Sequence, residues 1–186
     1  MKQTDIKVAG ALIFVGATQF ILCMLVAECL YPKYLVSERV ISDLGKLDTV
    51  SAPVFNASVF VLGLTVVAGA YFLRRTIQNK IFLSLLILCG IGAMGVGIFP
   101  EDFGTIHFIV SLMAFLFGAL SAIASYKFQK PPLSYFAVVL GLISLTALIL
   151  FGLETYFSLG KGGMERMIAY PILLWAIGFG GYLIKE

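Results

Sequence analysis

Charge is what this chain has least of. Asp, Glu, Lys and Arg supply 12% of its 186 residues, against about 25% in soluble domains. With 60% apolar residues and a mean hydropathy of +1.02, a soluble fold of this size could not hide its own surface. The net charge of +3 is scattered along short stretches and forms no basic patch, so no nucleic-acid partner is expected. Cysteine is scarce as well. Cys23, Cys29 and Cys89 are odd in number and lack CxxC spacing, which argues against a disulfide framework or a structural zinc site. They read as small buried hydrophobes. His107 is the only histidine, too few for a catalytic zinc site with its usual histidines. A magnesium or calcium site of Asp43, Asp102 and Glu154 would be chemically allowed, but no spacing points to it. No metal is expected, and the sequence names no cofactor.

What the chain does have is long apolar runs. A membrane span needs about 20 largely apolar residues, and six runs meet that standard: Val8–Leu30, Pro53–Leu73, Ile81–Phe99, Ile106–Tyr126, Leu133–Leu153 and Met164–Ile184. The expected fold is all-α, a polytopic six-helix transmembrane bundle in which residues 1–186 form a single six-span domain. The first run is too long for a signal peptide and reads as a retained helix. Ser51 and Thr105 are candidate caps for helices two and four, and Pro53 suits a first helical position. Pro171 falls inside helix six and is expected to kink it or free a carbonyl. Glycines crowd helix three from Gly90 to Gly97 and recur in helices five and six. Such small residues let helix backbones approach closely in lipid, and they make a homodimer worth considering.

Basic residues set orientation. Lys2, Lys7, Arg74, Arg75, Lys80, Lys127, Lys130 and Lys185 collect on one side; Lys33, Arg39, Lys46, Lys161 and Arg166 collect on the other. The excess places both termini in the cytoplasm of a cell-membrane protein. Most acidic residues then fall on the outer side.

The longest interruption between apolar runs is Tyr31–Pro53. Within it Val36, Val40, Ile41, Leu44 and Leu47 recur at roughly helical spacing, with Glu38, Arg39, Ser42, Asp43 and Lys46 on other faces. Ser37 can cap its start and Gly45 can close it in a left-handed turn. This predicts a short amphipathic helix at the outer interface between helices one and two, a lid holding Ser42 and Asp43 over a pocket. The outer side also carries Glu28, Asn56, Asp102, His107, Glu154 and Arg166. An arginine there suits a phosphate, because its fork binds two oxygens; Arg166 suits an ion pair with Glu154 or Asp43 equally well. His107 is expected to bond Asp102 or Asp43.

The residues Ile41-Ser42-Asp43-Leu44-Gly45, Asn56, Phe99-Pro100-Glu101-Asp102 with His107, and Gly163-Met164-Glu165-Arg166 resemble an uncharacterised prokaryotic membrane family, domain of unknown function 998, common in archaea. The resemblance covers nearly the whole chain and implies six spans, with no activity attached. At a greater distance the pattern is similar to the Frag1/DRAM group, which includes a GPI-lipid remodelling factor and would imply lipid handling. That group pairs histidine with aspartate where this chain has His107-Phe108, so chemistry needing that pair does not carry over.

Three functions compete. The first is binding or handling of a membrane lipid whose headgroup meets Arg39 or Arg166 with Ser42, Asn56, Glu154 and Glu28. The second is an intramembrane lipid hydrolase or transferase with His107 as base, oriented by Asp43 or Asp102; imidazole titrates near neutrality, as such a base should. The third is a small transporter. Transport sites sit near the midplane, where this sequence has almost no polar groups, so lipid binding is the expectation carried forward.

Overall fold

In hydrocarbon every backbone N–H and C=O must find its partner inside its own segment, so apolar runs of this length fold as helices. The structure, a computed structural model, describes residues 2–185 and contains six of them: α1 (Lys2–Leu30), α2 (Ala52–Leu73), α3 (Lys80–Ile98), α4 (Thr105–Ala124), α5 (Leu133–Gly152) and α6 (Gly160–Lys185). All six are long and apolar enough to cross a membrane, and no strand occurs among the described residues. Their outward side chains stay apolar, as lipid requires: Ile81, Phe108 and Ile149 are all more than 60% exposed.

Successive helices run antiparallel. Asp5 at the start of α1 meets Arg75 just after α2 at 3.2 Å, and Gly10 of α1 lies against Gly180 of α6. An acidic residue in the first turn also suits the helix dipole, which helps α1 begin at Lys2 rather than Val8. The glycines of α3 have distinct jobs. A Cβ on Gly90 would lie 2.8 Å from the Gly63 carbonyl of α2, and one on Gly92 would lie 2.5 Å from the Ala114 nitrogen of α4. One helix thus packs closely on two neighbours. Phe82, Phe179, Ile13 and Leu86 fill the buried centre.

Helix ends differ in detail from the sequence reading. Gly104, not Thr105, holds the cap position of α4. Ser51 stands at the cap of α2, but its hydroxyl donates to the Leu44 carbonyl at 2.7 Å instead. Pro171 lies inside α6, as expected, and the helix continues through it to Lys185.

The segment between α1 and α2 departs most. In place of a helix spanning the amphipathic pattern there is a five-residue 3-10 turn, Ile41–Gly45, flanked by turns. Ile41 and Leu44 are buried, whereas Val36 and Leu47 are exposed. The cause lies in who holds the backbone. The Ile41 N–H donates to Glu165, and Val40 N–H donates to Asp43. The Val40 carbonyl accepts from Tyr34, the Ser37 carbonyl from the Gly162 N–H, and the Gly45 carbonyl from Asn56. A backbone bonded to the spans has few groups left for a helix of its own. Ser37 therefore caps nothing. Gly45 is not left-handed either; it allows close packing, since a Cβ there would lie 2.3 Å from Asn56 Oδ1.

Candidate functional site

Two polar clusters form at the end of the bundle away from the termini, and adjacent residues of α6 divide them. Neighbours on a helix point about 100° apart, so Glu165 and Arg166 face different sides.

Arg166 anchors the first cluster. Its Nη2 donates to Glu28 Oε1 at 2.5 Å and to the Tyr34 hydroxyl at 2.7 Å. Its Nη1 donates to the carbonyls of Gly162, Arg39 and Val36 at 3.0, 3.3 and 3.4 Å. The Tyr34 ring also lies under the guanidinium, 5.4 Å from its centroid, and burial pushes the Tyr34 phenol up to about 12. Both terminal nitrogens of the fork are thereby committed to the protein, and Arg166 is only 5% exposed. The expected partners Glu154 and Asp43 are not the ones it takes. α6 packs on α1, whose end carries Glu28, while Glu154 is exposed in a turn with φ of 54°. Arg39 contributes its carbonyl to this cluster and stacks its guanidinium over Tyr31 at 5.8 Å.

The second cluster ties the 3-10 turn to the α3–α4 connection. Asp43 caps its own turn and holds Lys46 Nζ at 2.5 Å; that bond raises the Lys46 ammonium above its usual range. Lys46 reaches Glu101 at 3.6 Å, and the Ser42 hydroxyl donates to Glu101 Oε2 at 3.3 Å. Asp102 turns outward and accepts the Leu47 N–H at 3.1 Å. Asn56 donates to Gly45 at 2.8 Å.

His107 bonds neither Asp43 nor Asp102. Its Nδ1 lies 2.8 Å from the Phe99 carbonyl and its Nε2 lies 3.1 Å from the Ser111 hydroxyl. Phe99 sits at the cap where α3 ends, and a carbonyl there has no helical donor of its own. The imidazole supplies one. Sequence reasoning passed over Ser111; its signal was the spacing of four from His107, which puts both on one helix face.

Two neighbouring spaces lie beneath these clusters and share part of their lining. An apolar cavity of about 100 Å³ opens inside the bundle among Phe20, Val59, Leu86, Ala93, Phe115 and Leu173. A groove of about 340 Å³ runs beside it between α4, α5 and α6, with Glu101, His107, Lys161 and Glu165 among its walls. Ser42, Ser111, Phe115 and Glu165 line both. Phe108 and Leu112, exposed on the outside of the bundle, form part of the groove wall. The groove can therefore offer hydrogen bonds and charge together with hydrocarbon contact. Among the described residues no three of His, Cys, Asp and Glu come together as metal ligands would, and Asp43, Asp102 and Glu154 point to separate places.

No curated protein and no solved structure matches the chain. One family does, and it matches over residues 14–182, which takes in both clusters and the groove: the chain belongs to the family described as protein of unknown function (DUF998).

Proposed function

We propose that this protein binds a membrane lipid, with its polar headgroup in the groove and its acyl or isoprenoid tail along the groove's apolar wall toward the bilayer. The observation that carries this reading is the mixed lining of the groove. Glu101, Lys161 and Glu165 supply charge while Phe108, Leu112 and Phe151 supply hydrocarbon, the two kinds of contact an amphiphile needs. The internal cavity, at about 100 Å³, is too small for a tail, since a cavity of about 150 Å³ holds no more than a benzene. Lys161 is the cation of the groove and takes over the headgroup role that the sequence suggested for Arg166. The exposed Phe108 and Leu112 place a wall of the groove beside bilayer lipid, so a ligand can enter sideways. The excess of basic residues on the side of the termini favours a cell-membrane protein with both termini in the cytoplasm and the site on the outer side.

Native mass spectrometry of the protein purified from its own membranes tests this. The wild type is expected to retain a lipid mass, and Lys161→Ala to retain less. A wild type that carries no lipid, or a Lys161→Ala variant that keeps it fully, overturns the reading.

A further inference from the structure

We propose that Ser111 and His107 form a nucleophile–base pair that cleaves the acyl ester of a bound lipid. The inference rests on the lipid-binding reading for its substrate and on hydrogen-bond geometry for its chemistry. A carbonyl oxygen can only accept, so the 2.8 Å contact with Phe99 fixes the ring proton on Nδ1. The neutral ring then turns the lone pair of Nε2 toward Ser111, whose hydroxyl donates to it at 3.1 Å. Hydroxyl, base and a third group that orients the base are the parts of an activated serine. Here the third group is a main-chain oxygen held by the end of α3, which orients the ring without adding a charge.

Position adds a second argument. Ser111 lines both the apolar cavity and the polar groove. In an acyl lipid the ester carbonyl is the atom group between tail and head. A lipid seated in the groove with its head toward Lys161 and its tail toward Phe108 and Leu112 therefore presents that carbonyl beside Ser111. His107 is buried, so bulk water does not compete for Nε2.

The step balances with water as the only co-reactant. Ser111 Oγ bonds to the ester carbonyl carbon while its proton passes to His107 Nε2. The tetrahedral centre collapses, the bond to the alcohol oxygen breaks, and that oxygen takes the proton from Nε2. Water then attacks the acyl-serine, giving its proton to Nε2, which returns it to Oγ as the fatty acid leaves. Ester and water become acid and alcohol.

A long-chain alkyl fluorophosphonate, presented to the full-length protein in lipid nanodiscs, tests the pair directly. It transfers its phosphoryl group to an activated serine with loss of fluoride. The expected result is one adduct per chain, mapped to Ser111 by peptide mass spectrometry and absent from Ser111→Ala. His107→Gln is expected to slow labelling by about a hundredfold or more, the usual worth of a general base. Circular dichroism of each variant checks that it is folded, and the wild-type result stands without them. An unlabelled wild type, or an adduct at another serine, overturns the proposal. Lipid retention by the wild type separates the two readings: retained lipid without labelling removes the esterase and leaves the binding site, whereas labelling at Ser111 without retained lipid does the reverse.

Discussion

Arg166 Nη2 lies 2.5 Å from Glu28 Oε1, joining the end of α1 to the opening turns of α6. Both side chains are largely buried, at 6% and 16% exposed, so the charges need each other. Removing one partner of a buried pair costs about 3–5 kcal/mol, because the other is left uncompensated. Arg166→Ala is therefore expected to lower unfolding stability by that order and to free the segment 31–51 for proteolysis. Arg166→Lys is expected to recover little, since an ammonium cannot serve Glu28, Tyr34 and three carbonyls from one fork. Denaturant unfolding in micelles, with limited proteolysis alongside, measures both. A loss below about 1 kcal/mol would mean that the cluster does not hold the segment down.

Tyr34 gives the same strap a pH dependence. Its phenol is raised from 10.0 to about 12 by burial, so the folded state keeps a proton that the unfolded state releases first. The contribution is fully present below the unfolded value of 10.0 and is lost as pH climbs through about 12. The Lys46 ammonium, held up by its bond to Asp43, loses its stabilising charge in the same direction. Thermal unfolding followed by circular dichroism should show the midpoint falling as pH passes through this alkaline window. Tyr34→Phe should flatten most of that fall while starting from a lower midpoint. An unchanged slope in Tyr34→Phe would rule the phenol out as its source.

Gly162 admits the strap by having no side chain. Its N–H donates to the Ser37 carbonyl at 3.2 Å, and a Cβ there would stand 1.9 Å from the Arg39 carbonyl and 2.4 Å from that of Val36. Those are the carbonyls that Arg166 also holds. Overpacking of this kind typically costs about 1–3 kcal/mol. Gly162→Ala should fall within that range. It should also raise protease sensitivity in 35–40 before the spans unfold. Equal protease resistance would show that the chain can shift aside at no cost.

The six spans were legible because lipid leaves a chain of this composition no other fold, and apart from the start of α1 their ends fell within a few residues of the apolar boundaries. The polar end was legible in level but not in pairing. Glu28, Asp43, Asn56, Asp102, His107 and Arg166 do lie at one end of the bundle, yet Arg166 pairs with Glu28 rather than Glu154 or Asp43, and His107 bonds Phe99 and Ser111 rather than Asp43 or Asp102. Partner choice depends on which helices are neighbours, and a sequence does not print that. The segment 36–47 misled for a related reason. Its apolar spacing fits a helix, but Glu165, Arg166, Asn56 and Gly162 compete for its backbone from 11 or more residues away. Ser111 was readable in principle, four residues after His107; a lone serine in an apolar helix simply carries little signal until its partner is seen.

Trp175 and Ser125 extend this reasoning to the opposite end of the bundle. The indole Nε1 donates to Ser125 Oγ at 2.9 Å, Gln129 Nε2 donates to the same oxygen at 2.7 Å, and the hydroxyl donates to Ala122 at 2.6 Å. One buried oxygen thus satisfies donors from α6 and from the segment after α4. Ser125→Ala strands the indole N–H, and an unsatisfied buried donor costs about 1–3 kcal/mol. Trp175→Phe removes the donor itself, so the double variant Ser125→Ala/Trp175→Phe should lose less than the two single losses added together. That shortfall is the coupling of the pair. Denaturant unfolding of all four proteins by circular dichroism measures it, and Trp175 is the only tryptophan, so fluorescence of Ser125→Ala reports the same site alone. Strict additivity would show that the bond ties no energy between α6 and the end of α4.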